Sequence, residues 1–598
     1  MDNHSLYFNP NQNNETKPIH EPPKVFEKKA KFIMTKKDLV FTFIFVLLGF
    51  IISNFVIFNG LNLGFTVAFI LLFLASTVYL FDSKVKVSLF SYLCGALSIA
   101  GSVTFALYDD LMMNAIMLFL VLALFTVYTC GLSATFRHRQ GSFKMLADVV
   151  GGVLISPFAN SGDIALSYSK SFKKSKGIKN VIIGFAVSIP VLLIVIPLLK
   201  SSDAAFDGLV EHLLESLGKY IFQLLAALLI SPVLVLYFVN KAKRLDVEKG
   251  AKASASFKGI FQPSATGTFL SVISVTYLVY LFSQLAYFFS AFSGILPQGY
   301  TFSASEYARR GFFEMFAICV INMIIITLCC LLTKKNNGKI QLPIKLLSLF
   351  ILLFTTLILI TAMAKMKLNI KTYALSKNRL MVSVFMLMMI VVIVFYIIHL
   401  FAPKVSYMQP IIIICSAMFI ALSYSNVDYQ IAKYNVNAYT SGKIDTIDVD
   451  NLSDMSNGAV PYLIELADND NHLISKQAKT AVLSKIEENF DVHFNTEDKT
   501  YFPIVECADN HDFRIYNKSK VDARKELDAF YNTLDKEQKA NLITQFSFDE
   551  GGYFYDEEKD EYTTYSGEYE YYYVYDDKDD KYEYSGLREV AEDYYEEY

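Results

Sequence analysis

Long apolar stretches alternate with short polar ones along most of this chain, between Leu39 and Tyr424. Eleven of these stretches contain roughly 18 to 25 residues with almost no charge, long enough for a helix to cross a bilayer core of about 30 Å. Backbone in hydrocarbon must satisfy its hydrogen bonds internally, so each stretch is predicted to be a helix. The predicted spans are 39–58, 61–81, 87–107, 111–131, 180–199, 220–239, 267–289, 311–332, 346–364, 380–400 and 408–425.

This pattern predicts an all-α polytopic membrane protein of about 11 transmembrane helices, divided into four regions. Residues 1–37 are a polar N-terminal segment, and residues 38–425 are the transmembrane domain. Residues 426–552 form a small, mainly helical extramembrane domain, because 459–466, 473–486 and 521–534 repeat apolar residues with a 3.6-residue period. Residues 504–516 are expected to add a strand or two. Residues 203–219 have one apolar and one acidic face, which predicts a separate interfacial helix.

The charge distribution separates the last region, 553–598, from the rest. The chain is 53% hydrophobic with a net charge of −4, but residues 553–598 contain 17 acidic and 4 basic residues, a net charge of −13. A segment with 14 tyrosines, high charge and few aliphatic residues buries too little surface to offset its ordering entropy. A disordered acidic tail is therefore predicted, either a solvated spacer or a ligand for a cationic or cell-wall partner.

The basic residues of the loops predict the orientation of the spans. Lys28, Lys29, Lys31, Lys36 and Lys37 precede the first span, and alternate loops are also basic, at 84–86, 137–176, 241–258 and 334–339. The N-terminus is therefore expected in the cytoplasm, and an odd number of spans places residue 426 onward outside it. The basic residues at 365–379 do not fit this alternation. Either strong upstream topology overrules this late loop or one span is miscounted.

No sequence motif carries a recognisable chemistry. The chain lacks the phosphate-binding, dinucleotide-binding, zinc-protease and serine-hydrolase signatures, and its seven cysteines show no paired metal-binding spacing. We therefore expect no enzymatic activity, no catalytic residue, no cofactor, no metal site and no nucleic-acid partner. The one partner that the composition requires is the lipid bilayer, and the oligomeric state stays open.

Four stretches resemble an uncharacterised bacterial family of multi-pass membrane proteins, domain of unknown function 4173, which is related to 4153. They are VSIPVLLIVIPLLKSSDAAF (Val187–Phe206), YARRGFFEMFAICVIN (Tyr307–Asn322), YALSKNRL (Tyr373–Leu380) and NVDYQIAKYNVNAY (Asn426–Tyr439). The resemblance covers about residues 180–439 and leaves out the N-terminal segment and the acidic tail. It implies a multi-pass topology and a location in the bacterial plasma membrane, and it implies no mechanism.

Six polar residues at membrane boundaries are the candidate functional or structural positions. A helix would place Glu306, Arg310 and Glu314 on one face at four-residue spacing, which predicts an ion-pair ladder. A structural ladder and a ligand or gating role are the two interpretations. The other three candidates fall in the resembling stretches and are Arg379, Asp428 and Asn435.

Two functional hypotheses remain open. The preferred one is a sensor or scaffold of the cell envelope whose extracytoplasmic domain engages a partner or a cell-wall polymer. The alternative is a transporter or permease for a neutral or lipid-like solute. The lack of charged residues deep in the predicted spans argues against an ion-coupled transporter but leaves this route open. A cavity between spans with few charges would favour the alternative, and a bundle packed without a cavity would favour the sensor or scaffold.

Overall fold

The computed structural model describes most of the apolar region of the chain and a large share of the residues C-terminal to it. The described residues are 32–171, 195, 204–245, 260–293, 312–334, 340–403, 405–494, 503–506, 512–534, 554–556, 561–566, 569–576 and 581–589.

Eighteen α-helices lie in the described residues. The helices of the apolar region are α1 (Lys36–Val56), α2 (Leu63–Leu80), α3 (Leu89–Leu107), α4 (Leu111–Ser133), α5 (Met145–Leu154), α6 (Ser156–Ala159), α7 (Ser161–Ser171), α8 (Ala204–Ala242), α9 (Pro263–Ser293), α10 (Phe312–Leu332), α11 (Leu342–Tyr373), α12 (Lys377–Phe401) and α13 (Met408–Tyr424). The helices C-terminal to this region are α14 (Val427–Thr440), α15 (Val449–Ser453), α16 (Val460–Ala467), α17 (His472–Asn489) and α18 (Lys518–Thr533).

The protein is a polytopic membrane protein whose membrane part is all-α, as predicted. Within the described residues, 9 helices are long and apolar enough to cross a membrane, and the pair α13 and α14, bent by 61°, makes up to 10. These helices correspond to ten of the eleven predicted spans. The remaining predicted span, 180–199, lies outside the described residues.

The membrane helices form two groups, each with its own buried core. The first helix group consists of α1–α4, α8 and α13, whose core contains Phe45, Phe105 and Phe238. The second helix group consists of α9–α12, with Ile351, Ile358 and other aliphatic residues at its centre. The helix α13 packs on α3 and also contacts α12, so it connects the two groups.

A polar network closes the end of the bundle at which α1 begins, here called the Lys36 end. Thr35 caps α1 by accepting from the Asp38 backbone amide (3.2 Å), and the Asp38 carboxylate accepts in return from the Thr35 amide (2.7 Å). The same carboxylate accepts from Lys243 Nζ (2.6 Å), at the end of α8, and from the Tyr79 hydroxyl (2.9 Å), at the end of α2. One buried carboxylate therefore holds three helix ends together.

The described residues between 427 and 534 form the C-terminal domain, which packs on the opposite end of the bundle, here called the domain end. Its helices α14 to α18 share a continuous apolar core with the first helix group, through buried residues such as Ile431, Leu463 and Leu527. The helices predicted at 459–466, 473–486 and 521–534 are confirmed as α16, α17 and α18. Strands β1 (Asp491–Phe494) and β2 (Pro503–Glu506) pair antiparallel. One or two strands were expected within residues 504–516. Strand β2 begins at the edge of that region, and its partner β1 lies before it.

The segment predicted as a separate interfacial helix is part of a longer one. Helix α8 begins at Ala204 and continues without a break to Ala242, and the membrane-spanning part begins at Gly218. The segment 204–217 is therefore helical, as predicted, but continuous with the span. The helix continues through Gly218, which separates the two apolar patterns, and it also includes Pro232 within the span.

The acidic tail was predicted to be disordered, and its described backbone differs from that prediction. Four strands pair antiparallel in chain order: β3 (Phe554–Asp556), β4 (Glu561–Ser566), β5 (Tyr569–Asp576) and β6 (Lys581–Glu589). Tyrosine and threonine favour extended backbone, and they dominate these strands. The prediction of disorder was based on net charge and on the scarcity of aliphatic residues. It did not take the β-propensity of tyrosine and threonine into account.

Candidate functional site

Two of the six candidate residues bind the α11–α12 loop, Ala374–Ser376, at the domain end, and a third, Asp428, binds Lys377 directly after it. Asn435 of α14 holds this loop with its side-chain amide, which accepts from the Leu375 backbone N–H and donates to the Leu375 carbonyl oxygen, both at 2.8 Å. Arg379 Nη1 donates to the carbonyl oxygens of Tyr373 (2.8 Å) and Ala374 (2.7 Å). These bonds satisfy the terminal carbonyls of α11 and hold Ala374 at a φ of 63°.

The next residue of the chain, Lys377, lies between two buried carboxylates. Its ammonium is 2.9 Å from Asp428 Oδ1 on α14 and 3.0 Å from Asp110 Oδ2, which precedes α4. Asp428 Oδ2 also accepts from the Ser456 backbone amide at 2.9 Å. We call Lys377, Asp110 and Asp428 the acid–lysine cluster. It joins the second helix group, the first helix group and the C-terminal domain at one point.

Asp110 has two structural tasks in this cluster. Its Oδ1 atom caps α4 by accepting from the backbone amides of Met112 (3.0 Å) and Met113 (3.2 Å), while Oδ2 faces Lys377. Burial, followed by the neighbouring Asp428 carboxylate, raises the pKa of Asp110, and Lys377 opposes that shift. One lysine is therefore the cation for two buried acids. Burial and the neighbouring Asp428 disfavour the charged form of Asp110.

The preceding residue, Asp109, binds the C-terminal domain. Its Oδ2 atom accepts from Asn457 Nδ2 at 2.5 Å, and Asn457 Oδ1 accepts from Asn489 Nδ2 at 2.7 Å. Asn489 in turn donates to the Lys485 carbonyl oxygen on α17 at 2.8 Å. The short α3–α4 loop therefore holds the domain with Asp109 and the second helix group with Asp110.

A second contact joins the C-terminal domain to the ends of α1 and α2. Arg514 Nη1 donates to Asn54 Oδ1 on α1 at 2.7 Å, and its guanidinium pairs with Asp512 at 2.5 Å. The Phe513 ring packs edge-on against Phe55, with 5.4 Å between the ring centroids. This contact and the acid–lysine cluster leave the domain attached to the bundle at two separated places.

An apolar opening of about 580 Å³ lies between the two helix groups; we call it the membrane crevice. It is lined by α4 and α13 of the first group and by α12 and Phe316 of the second, with α5 at the Lys36 end. On α4 the lining extends from Ile116 to Val127, a rise of about 17 Å. Apart from Cys415 and Ser416, every lining residue is apolar.

The remaining sequence candidates are not brought into this site. Glu306 and Arg310 lie outside the described residues, so the predicted ladder with Glu314 stays a prediction. Glu314 is exposed in the first turn of α10 and interacts electrostatically with the buried Lys365 of α11. Its described partner is thus on the neighbouring helix.

Sequence reasoning missed Lys377, Asp109 and Asp110 as site residues. The signal was present, because the basic run at 365–379 violated the expected charge alternation. In the structure Lys377 is paired with two carboxylates, and Arg379 is bonded to backbone carbonyls. A basic residue that is paired within the protein does not contribute to the positive-inside bias of exposed loops.

The polar groups of this site join helices to one another and to the C-terminal domain. Among the residues that the structure describes, no group of three or more His, Cys, Asp or Glu side chains could hold a metal ion. The described cysteines are buried or half-buried, and burial is the reason that thiols of this kind are usually unreactive.

The fold and this junction define a multi-pass α-helical membrane protein with a firmly packed C-terminal domain. The chain belongs to the family described as Domain of unknown function (DUF4153), whose model matches residues 40–466. The resemblance found in the sequence is confirmed, although the matching model is that of the related 4153 family and extends well beyond 180–439. Its range includes the acid–lysine cluster and Asn435 but not Arg514. No curated protein and no solved structure matches the chain.

Proposed function

We propose that this protein is a non-enzymatic membrane protein that holds the apolar chain of a lipid-like molecule in the membrane crevice. The supporting observation is the crevice itself, about 580 Å³ in volume and almost entirely apolar in its lining. A volume of this size lies within the range of ordinary ligand sites. A cavity with few charges between spans favours a neutral or lipid-like solute over a tightly packed scaffold, and this crevice is such a cavity.

The proposed location is the bacterial plasma membrane, with the Lys36 end in the cytoplasm and the C-terminal domain outside it. The basic residues at the Lys36 end support this orientation, since Lys84, Lys86 and Arg139 lie in loops on that side. The contrary basic run at 365–379 carries less weight, because Lys377 is neutralised by Asp110 and Asp428.

The C-terminal domain gives the crevice a means of control. Lys377 begins α12, and Met381, Phe385 and Met388 of the same helix line the crevice. Asp110 caps α4, and Ile116 and Ala123 of that helix line the opposite wall. A change at the acid–lysine cluster would therefore shift both walls together. Sensing by the domain, the other hypothesis, is supported by this same connection.

The test is cross-linking of the purified full-length protein with a phospholipid that carries a photoreactive diazirine in its acyl chain. We expect label on crevice residues, among them Met388 and Cys415. Ala123→Phe places a large ring in the crevice and should lower that label several-fold. Ala115→Phe is the matched control, because Ala115 is an exposed residue of α4 outside the crevice.

Equal label at Met388 and Cys415 in both variants would contradict the proposal. So would label restricted to the outward faces of the helices in the wild-type protein. Loss of label in both variants would instead report general damage to the bundle, and the melting temperatures of the two proteins identify that case.

A further inference from the structure

A second, smaller pocket lies at the Lys36 end of the second helix group. It occupies about 110 Å³ between the end of α10, the start of α11, the end of α12 and the segment that leads to α13. Its polar lining is supplied by Thr327, Cys330, Lys345, Tyr396, His399 and Tyr407. We call it the Lys345 pocket. It shares no lining residue with the membrane crevice.

The polar walls of this pocket are held in place by one another. The His399 ring lies 4.2 Å from the Tyr407 ring, and Tyr396 meets Tyr407 edge-on at 5.9 Å, all between centroids. His399 Nδ1–H donates to the carbonyl oxygen of Val405 at 3.2 Å. The buried Tyr396 hydroxyl donates to the Ile326 carbonyl oxygen at 3.4 Å. The pocket is therefore shaped by packed rings and not by loose surface chains.

The charge of the pocket is positive. Lys345 is half-buried in the first turn of α11, where the helix dipole adds to its positive potential. In the described part of the chain, no carboxylate lies within ion-pair distance of its ammonium, which lies 6.0 Å from the Phe401 ring centre. The sequence contains no Asp or Glu between Glu314 and Asp428, so the parts of α10, α11 and α12 that line the pocket contain no acidic residue, and Glu314 lies at the opposite end of α10.

We infer that the Lys345 pocket binds a phosphate group. The pocket has about a fifth of the volume of the membrane crevice, about 110 Å³ against about 580 Å³, which suits a small polar group such as a phosphate. The Lys345 ammonium supplies the charge and three N–H donors, and Thr327 and Tyr407 add polar side chains to the lining. The pocket lies within about two turns of the ends of α10 and α12, where lipid headgroups are expected. Both a lipid phosphate and free phosphate present the required chemistry.

The test monitors the thermal stability of the full-length protein in neutral detergent while one of three probes is added. The probes are inorganic phosphate, short-chain phosphatidylglycerol and short-chain diacylglycerol, the last being a lipid without phosphate. We expect a saturable rise in melting temperature with a phosphate-bearing probe and none with diacylglycerol. A response to phosphatidylglycerol alone assigns the site to a lipid headgroup, and a response to inorganic phosphate at equal concentration assigns it to the free anion.

Lys345→Gln should raise the probe concentration at half-effect about fivefold, equivalent to about 1 kcal/mol. Lys345→Arg should retain the response, because it keeps the charge. Lys371→Gln is the matched control, a lysine at the exposed opposite end of the same helix. If Lys345→Gln does not fold, His399→Gln, which changes another polar residue of the same pocket, replaces it as the test variant. An equal response of the wild-type protein and Lys345→Gln, or no response of the wild-type protein to either phosphate probe, would overturn the inference.

Discussion

The Lys377 ammonium lies 2.9 Å from the Asp428 carboxylate, which joins the first residue of α12 to the second residue of α14. The Asp428 side chain is fully buried, and Asp110 lies on the other side of the same lysine at 3.0 Å. Buried charges are costly to desolvate, and their loss of a partner costs more than the pair contributes. The cluster is therefore a sensitive point of the fold.

Lys377→Met should destabilise the protein strongly. The substitution leaves two buried carboxylates beside each other without a cation, and removal of one partner of a buried pair costs about 3–5 kcal/mol. Unfolding in a denaturant series, followed by the fluorescence of the tyrosines, measures this cost. Lys371→Met is the control, since Lys371 is exposed and six residues earlier, and its stability should remain near that of the wild-type protein. Equal effects of the two substitutions would show that the cluster contributes nothing.

Asp110→Asn should be tolerated far better than loss of Lys377, and its effect should depend on pH. The pKa of Asp110 is raised in the folded protein by burial and by Asp428, so the folded state holds this proton to higher pH than the unfolded state. Stability contributed by the protonated form is present below the ordinary value of 3.8 and is lost as the pH rises through the raised folded pKa. Asparagine keeps the cap of α4 and has no charge to lose.

The melting temperature of Asp110→Asn relative to the wild-type protein should therefore increase between pH 4 and pH 7. Asp454→Asn, which removes an exposed acid of the C-terminal domain, is the control for the loss of one carboxylate. If the melting temperature of Asp110→Asn relative to the wild-type protein instead decreases as the pH rises, the pairing of Asp110 with Lys377 outweighs burial and the repulsion from Asp428.

Asn435→Ala should loosen the α11–α12 loop. The substitution leaves the Leu375 backbone N–H and C=O without their partner, and a buried unsatisfied group costs about 1–3 kcal/mol. Hydrogen exchange at residues 374–376 should become faster, together with a lower melting temperature. The exposed Asn437→Ala, two residues further along α14, should change neither quantity. Unchanged exchange in Asn435→Ala would show that water replaces the amide at no cost.

The C-terminal domain should be accessible from outside the cell. Cys507, the natural probe for this question, lies outside the described residues, so we replace it with serine and introduce Asp470→Cys, an exposed residue of the domain. A membrane-impermeant maleimide should label this protein in intact cells. Lys84→Cys, exposed in the α2–α3 loop at the Lys36 end, should label only after lysis. The reverse pattern would invert the proposed orientation.

The acidic tail should be dispensable for insertion and stability. The strands β3 to β6 pair with one another, and residues 553–598 contribute a charge of −13 with few aliphatic residues. A chain ending at Gly552 should melt at the same temperature as the full protein but should lose partners that bind at low salt, since screening weakens such contacts. A truncated protein that melts many degrees lower would show that the tyrosines pack on the fold. An unchanged set of partners would leave the tail as a spacer.

The sequence alone determined the membrane class. Ten of its eleven predicted spans correspond to helices that the structure describes. Apolar length carries this information directly, because a helix must match the bilayer thickness whatever its neighbours are. The same local logic identified α16, α17 and α18 in the C-terminal domain. It was wrong about a separate helix at 203–219, and it did not foresee strands in the tail, where short-range β-propensity opposes high charge.

Only the tertiary structure decided which polar residues meet. Asp110, Lys377 and Asp428 are hundreds of positions apart at the extremes, and no periodicity relates a loop acid to a lysine in another helix group. The membrane crevice likewise depends on how α4, α12 and α13 pack, which their uniformly apolar sequences leave undetermined because lipid and helix surfaces are equally apolar. Hydrophobic length places each helix in the membrane, and the few buried polar contacts determine which helices lie together.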